Sequence, residues 1–328
     1  YFASVNRSKR GIVLDLREEA DRATLKELVK DADVVVENFR VGVLDRLGIG
    51  YEDLSAINPR LVYGAVRGFG DPRTGESPYA EWPAFDVVAQ AMSGIVATTG
   101  EPGTFGMRIG PSIGDTYPAT LLALGIVAAV HEARRSGQGQ FVDVAMYDSL
   151  VALNEDSVYR YSYWGRTDAP QGNSHPIHIP FGVFPTKDGA CALAAPTNHW
   201  PILCEIIGRP DLIDDPRTSS NRARNGHREM VMGIIEEWLA EAAAAEVIAE
   251  LGGRVPVGPV NTNEMLFEDP HLRAREMLVA LQTPGAERPT VFANSPIKFS
   301  RTRAGAHRRA PLLDEHGDEV RREISPSP

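Results

Sequence analysis

Cysteine is almost absent: the 328 residues contain Cys191 and Cys204 and no others. Two thiols thirteen positions apart make neither a disulfide framework nor a metal spacing. They fit a reducing compartment, so a cytoplasmic protein is expected. Long apolar runs are missing too. The longest strongly apolar stretch, Ala119 to Val130, has twelve residues where a bilayer helix needs about 20, and His131, Glu132 and Arg134 close it. A soluble protein with no membrane partner is therefore expected. Positive charge is in deficit, with 34 Lys plus Arg against 44 Asp plus Glu and a formal net charge of −10. That argues against nucleic acid as a partner, because a phosphate backbone rewards clustered Lys and Arg. Neither G-x-G-x-x-G nor the P-loop pattern occurs, which counts against nicotinamide dinucleotides and ATP. His175 and His178 come nearest to a ligand pair, but Pro176 and Pro180 prevent a regular helix from aiming both at one metal, and no metal site is expected. The chain shows no signal peptide. It starts at Tyr1 without a methionine and runs straight into a basic segment, so residues upstream of Tyr1 are expected in the native protein.

What is present belongs to a globular protein. At 43% hydrophobic and 24% charged residues the chain has ample material for a core, and disorder, collagen and coiled coil are excluded as its class. Two domains are expected at this length, since single cores stop growing at about 250 to 300 residues. Ile12 to Leu16, Val34 to Asn38, Leu61 to Phe69 and Phe141 to Met146 read as buried strands. Helices are expected behind the first strand, with Ala20, Leu25, Leu28 and Val29 on one face, at about Phe85 to Met92, and at about Tyr117 to Arg135. This alternation predicts an α/β fold, a mainly parallel sheet with helices on both faces. Gly165 to Pro185 is too punctuated by Gly and Pro for a core element and reads as a linker or active-site loop. Beyond it, two strands joined at Asp188 and Gly189 are followed by helices at about Asn198 to Ile207, His227 to Ala240 and Ala244 to Leu251, then by a short strand at Val255 to Val260. The expected organisation is a large α/β domain over residues 1–176, a small α+β domain over 177–288, and a return segment, 289–328, packing on the large domain.

Three constellations carry chemistry. Gly110, Pro111, Ser112, Ile113 and Gly114 spell the G-x-S-x-G of a hydrolase elbow, but a helix starting directly after the serine would put Pro118 in its second turn, at the cost of a hydrogen bond and a clash. With the helix starting near Tyr117 the proline is comfortable, and Asp115 then lies at the positive end of an apolar helix beside Gly110 and Gly114. A carboxylate there can be a nucleophile or a plain helix cap. Asn38, Phe39, Arg40 and the nearby Arg46 follow the end of a strand, where parallel sheets bind ligands, and arginine forks suit phosphate. Lys9 and Arg10 belong to a basic opening, Asn6 to Arg10. Met146, Tyr147, Tyr159, Tyr161 and Trp164 are expected to pack a core or a subunit interface.

Taken together, the segments NRSKRGIVLDL, ADVVVENFRVGVLDRLGIGYEDLSAINPRLVYGAVRGFG, FDVVAQAMSG, RIGPSIGD, SGQGQFVDVAMYDSL, GNSHPIHIPFGVFPTKDG, VPVGPV and PLLDEHGDEV run in order along the chain. In that order they resemble the class III coenzyme A transferases, the CaiB/BaiF-like family of formyl-CoA transferase and the carnitine CoA transferases. The resemblance implies a Rossmann-like large domain, Asp115 as catalytic nucleophile, and a CoA site lined by Asn38, Phe39, Arg40 and Arg46, with Lys9 and Arg10 at its nucleotide end. It implies that Asp86 lies close to the active site, and that Gly172 and Asn173 stand where some members carry a glycine-rich loop, although the full glycine run is missing here. It also implies an interlocked homodimer with acyl-CoA and a small carboxylic acid as substrates and no cofactor beyond CoA. Relatives begin with a further strand and helix that this chain lacks.

The implied reaction moves CoA from an acyl-CoA to a carboxylic acid through an aspartyl anhydride and an aspartyl-CoA thioester, with backbone amides of Gly110 to Asp115 as candidate oxyanion donors. Arginines and His175 near the presumed pocket would suit a dicarboxylate. Two alternatives stand beside this. A 2-methylacyl-CoA racemase is disfavoured, because the related racemases carry a histidine directly before the acidic residue matching Asp86, and here that neighbour is Phe85. The other is a catalytically impaired acyl-CoA binding protein.

Overall fold

The computed structural model describes residues 1–324. The chain divides into two compact units, residues 1–93 with 111–153 and 264–328, and residues 94–110 with 154–263. The boundary expected near residue 176 therefore falls inside the second unit.

In chain order the first unit contributes α1 (Glu19–Lys30), β1 (Val34–Glu37), α2 (Val43–Arg46), α3 (Tyr51–Ile57), β2 (Val62–Arg67), α4 (Asp86–Met92), α5 (Ile113–Ser136) and β3 (Phe141–Ala145). The strands pair in parallel in the order β1-β2-β3, with Val34 opposite Val62 and Tyr63 opposite Phe141. Side chains alternate across the sheet. Val35, Tyr63 and Phe141 join Val29, Leu44, Leu54 and Leu61 under α1, α2 and α3. Val34, Val62 and Val142 join Ile126, Ala129 and Ala133 of α5 on the other face. Burial on both faces is what made these strands read as continuous apolar runs. Gly64 lets α5 lie close, since a Cβ there would come within 2.8 Å of the Ile126 Cδ1.

By length and composition α5 is apolar enough to cross a membrane, because it runs well beyond the twelve residues of its most apolar stretch. One stripe of it covers the sheet, while Leu124 and Val127 stay 68% exposed.

Ile12 to Leu16 is not a strand. The Asp15 N–H donates to Asp21 Oδ2 at 2.7 Å and the Leu16 carbonyl accepts from Arg22 at 2.9 Å, while the C-terminal segment takes Gly11 and Val13. His316 N–H donates to Gly11 O at 2.9 Å, Val13 N–H donates to Asp314 Oδ1 at 2.8 Å, and Arg321 Nη2 donates to Val13 O at 3.0 Å. The helix Met146–Leu153, the helix Gly317–Ile324 and an antiparallel hairpin, Leu278–Leu281 with Thr290–Ala293, also belong to this unit.

The second unit is built on an antiparallel sheet. Phe181–Thr186 and Gly189–Ala194 form the expected hairpin, and Val257–Pro259 pairs with its second strand. Trp200, Leu203, Val231, Ile235, Leu239, Val247 and Leu251 from three helices bury against it. The loop before the hairpin ends in a cis Ile179–Pro180 peptide. Arg224 lies over the Trp200 ring and donates to Ile179 O at 2.7 Å, Asn221 accepts from Ile179 N–H at 3.1 Å, and Arg228 donates to His175 O at 2.8 Å. Two helix segments thus clamp the strap that carries His175.

Candidate functional site

A cleft of about 290 Å³ opens beyond the carboxyl ends of β1 and β2. Asn38, Phe39, Arg40, Trp82 and Phe85 are among its lining residues, and Asp115 reaches it from the first turn of α5. The sequence singled out four of these six as site residues, Asn38, Phe39, Arg40 and Asp115; Phe85 was marked only as the neighbour of Asp86, and Trp82 carried no signal beyond being an aromatic in a polar loop.

The turn that holds Asp115 differs from the expected one. The helix begins at Ile113, four residues before Tyr117, and Pro118 lies inside it in the second turn. Proline has no amide to give the Gly114 carbonyl, yet the helix forms because its first turn is anchored from outside. Gly114 N–H donates to Asp86 Oδ1 at 2.8 Å, and Gln90 Nε2 lies 2.9 Å from each Asp86 oxygen. Asp86 thus positions the turn that carries Asp115. The proline objection to a serine elbow therefore fails, and the elbow is excluded on other grounds. Among the described residues no strand leads into Ser112, and its φ of −73° is ordinary rather than strained.

Among the described residues the Asp115 carboxylate has no hydrogen-bond or ion-pair partner. It therefore does not cap the helix. Burial in the cleft, and secondarily the negative charge of Asp86, push its pKa above the usual aspartate range. Reaction by the ionised form would be lost as pH falls through that raised pKa, so the acid limb of kcat/KM is expected above the ordinary value of about 3.9. Asp86→Asn removes the second cause, and the limb is expected to move to lower pH. A pH–rate profile of the two proteins checks this, and a limb that stays in place contradicts it.

Three of the amides expected as oxyanion donors are engaged within the protein. Ile113 N–H donates to Pro111 O at 2.8 Å, Gly114 N–H to Asp86, and Asp115 N–H to Ser112 O at 3.2 Å. Of the Gly110–Asp115 stretch, the Gly110 and Ser112 amides remain as candidate donors.

Arg40 and Arg46 are exposed, and among the described residues neither guanidinium has a hydrogen-bond or ion-pair partner; Arg40 lines the cleft and Arg46 does not. Lys9 bonds Asn6 at 3.0 Å and Arg10 pairs with Glu319 and Glu323 at 2.8 and 2.7 Å, both outside the cleft lining. Gly110 closes the 94–110 stretch of the second unit, and its carbonyl accepts from Arg108 at 2.9 Å.

Gly172, Asn173 and His175 line a cavity of about 840 Å³ in the second unit. Its one arginine, Arg160, is paired with Asp156 at 2.5 Å and Asp168 at 3.5 Å. The amides of Ile177 and His178 donate to His175 Nδ1 at 3.0 and 3.1 Å, which leaves the ring proton on Nε2. Burial first, then His178, Arg160 and Arg228, push the His175 pKa down, so the imidazole is neutral at pH 7. The cationic lining expected here for a dicarboxylate is therefore not found: the arginine is compensated and the histidine uncharged. Among the described residues no group of three or more His, Cys, Asp or Glu could hold a metal ion.

Comparison with known proteins agrees with these features. The family model for CoA-transferase family III matches residues 1–317. The chain is 45% identical over 321 residues to succinyl-CoA:mesaconate CoA-transferase of Haloarcula hispanica, covering 98% of this chain and 81% of that protein. It is 39% identical over 332 residues to acetyl-CoA:oxalate CoA-transferase of Acetobacter aceti, covering 99% and 82%. A CaiB/BaiF family protein from Brucella suis superposes with a TM-score of 0.86 at 34% identity, over 99% of this chain and 84% of that one. With its mixed α/β fold, parallel sheet and match along nearly its whole length, the chain belongs to CoA-transferase family III and is an enzyme of that family.

Proposed function

We propose that this enzyme transfers CoA from an acyl-CoA thioester to a small carboxylic acid, with Asp115 as the covalent nucleophile. The observation that carries the reading is the Asp115 carboxylate, for which no hydrogen bond or ion pair is found among the described residues, in the same cleft as Arg40. Asp115 attacks the thioester carbonyl and expels CoA as thiolate, a competent leaving group because thiols have a pKa of about 8.5. The thiolate attacks the aspartyl carbonyl of the mixed anhydride, releasing the donor acid and leaving an aspartyl-CoA thioester. The incoming carboxylate attacks that thioester, and the freed thiolate takes the new acyl group from the second anhydride. Asp115 is regenerated, and thiolate and carboxylates balance without any redox partner.

The relatives named for succinyl-CoA with mesaconate and for acetyl-CoA with oxalate favour a dicarboxylate among the substrates. Phe85, 74% exposed at the cleft, has no proton to move, which tells against a racemase. A cytoplasmic, interlocked homodimer around a Rossmann-like large domain belongs to the same proposal. Leu124 and Val127 in one unit, and Tyr161, Tyr163 and Trp164 in the other, are exposed apolar surface for a second copy to cover.

A panel of acyl-CoA donors tested against free acids, read by mass spectrometry, tests the reaction. Succinyl-CoA with mesaconate or oxalate is expected to give a new acyl-CoA, in a protein of dimer mass by light scattering. α-Carbon deuterium exchange without transfer would favour the racemase, and binding without turnover the impaired protein.

A further inference from the structure

The Asn38–Arg40 turn is held by charges from beneath. Glu37 ends β1 and Arg67 ends β2, and their side chains are 3% and 8% exposed. One Glu37 oxygen pairs with Arg67 Nη2, and the other accepts the Phe39 N–H at 2.5 Å. Arg67 Nε donates to the Phe39 carbonyl at 3.3 Å, and Nη1 lies 2.7 Å from Asp71, itself fully buried. Both polar groups of Phe39 are therefore gripped by one buried ion pair. Asn38 adds a third tie, its amide donating to the Val66 carbonyl.

The two arginines of this wall have opposite fates. Arg67 is turned inward with its charge matched by Glu37 and Asp71, so it has none left over for a ligand. Arg40, next in line after the gripped peptide, is exposed and unpaired. A buried pair contributes little net stability when weighed against its desolvation, and its best-attested use is to fix one geometry among several.

We propose that Glu37 and Arg67 are positioning residues for acyl-CoA recognition: by clamping Phe39 they set the shape of the turn and the direction of Arg40. The proposal rests on the cleft being the acyl-CoA site. It places their effect on acyl-CoA binding and not on the covalent step, which belongs to Asp115.

Glu37→Asp gives the sharpest test. It keeps the charge that compensates Arg67, and hence the fold, but withdraws the carboxylate by one methylene from the Phe39 amide. Arg67→Lys is the second variant, because it keeps a cation but loses the fork that spans Glu37, Asp71 and the Phe39 carbonyl. CoA binding by calorimetry and steady-state kinetics are measured on the full chain. For both variants Kd for CoA and KM for acyl-CoA are expected to rise about tenfold or more, with kcat at saturating acyl-CoA and KM for the acid within about threefold of the parent. CoA affinity unchanged in a folded Glu37→Asp protein overturns the proposal, as does a fall in kcat at unchanged KM. A parent protein that does not bind CoA overturns the reading of the cleft itself, which separates the two failures.

Discussion

Asp115→Ala is expected to abolish CoA transfer, with a loss on the order of 10⁴-fold or more, while Kd for CoA stays within about threefold of the parent. The size follows from the role: removing a nucleophile deletes a step rather than weakening one. CoA binding survives because Asn38, Phe39 and Arg40 sit on a different element from Asp115, on the turn after β1. The variant should also fold, since the Asp115 carboxylate has no hydrogen bond or ion pair to lose. A spectrophotometric or mass-spectrometric transfer assay beside calorimetry checks both halves. Activity within tenfold of the parent would remove Asp115 from the chemistry.

The second large effect comes from Gly114→Ala. A Cβ on residue 114 would lie 2.9 Å from the Asp86 carbonyl oxygen and 3.0 Å from its Cα and Oδ1. Two of those atoms are backbone and cannot swing aside, so the first turn of α5 must move or its Gly114–Asp86 hydrogen bond must stretch. Overpacking of this kind costs about 1–3 kcal/mol in stability. Displacing the turn by part of an ångström moves Asp115 as well, and transfer is expected to fall about 10²-fold while CoA affinity is kept. At Gly110 the added Cβ would meet nothing within 4 Å, so Gly110→Ala is expected to unfold at the parent's temperature. Thermal unfolding and steady-state kinetics of the two variants give the comparison. Equal behaviour of the two would show that close packing on Asp86 does not hold the nucleophile's turn.

The parts of the fold that were legible in the sequence are those set by local pattern. β2 is buried on both faces and β1 and β3 are packed on both sides in part, so all three declare themselves as apolar runs, and the hairpin announces its turn at Asp188 and Gly189. The Asn38–Arg40 turn was readable because it follows a strand end, and Asp115 because carboxylates favour helix starts. What was missed is nonlocal. Pro118 misplaced the start of α5, since the acceptor that anchors Gly114 lies 28 residues away at Asp86. Ile12 to Leu16 has a strand's apolar texture, but Val13 bonds side chains some 300 residues on, and Asp15 and Leu16 bond side chains of the following helix. Arg67 was invisible as a fixing group, because its partners Glu37 and Asp71 come together with it only in the fold. His175 looked like a source of positive charge, and only the two amides on its Nδ1 and its cationic neighbours make it neutral.

One measurement bears most directly on the whole account: incubate the protein with acyl-CoA, trap with hydroxylamine, digest and map the modified peptide by mass spectrometry. The hydroxamate is expected on Asp115, formed only when acyl-CoA is present and absent from Asp115→Ala. A hydroxamate on another residue, or transfer proceeding with none formed, would contradict it.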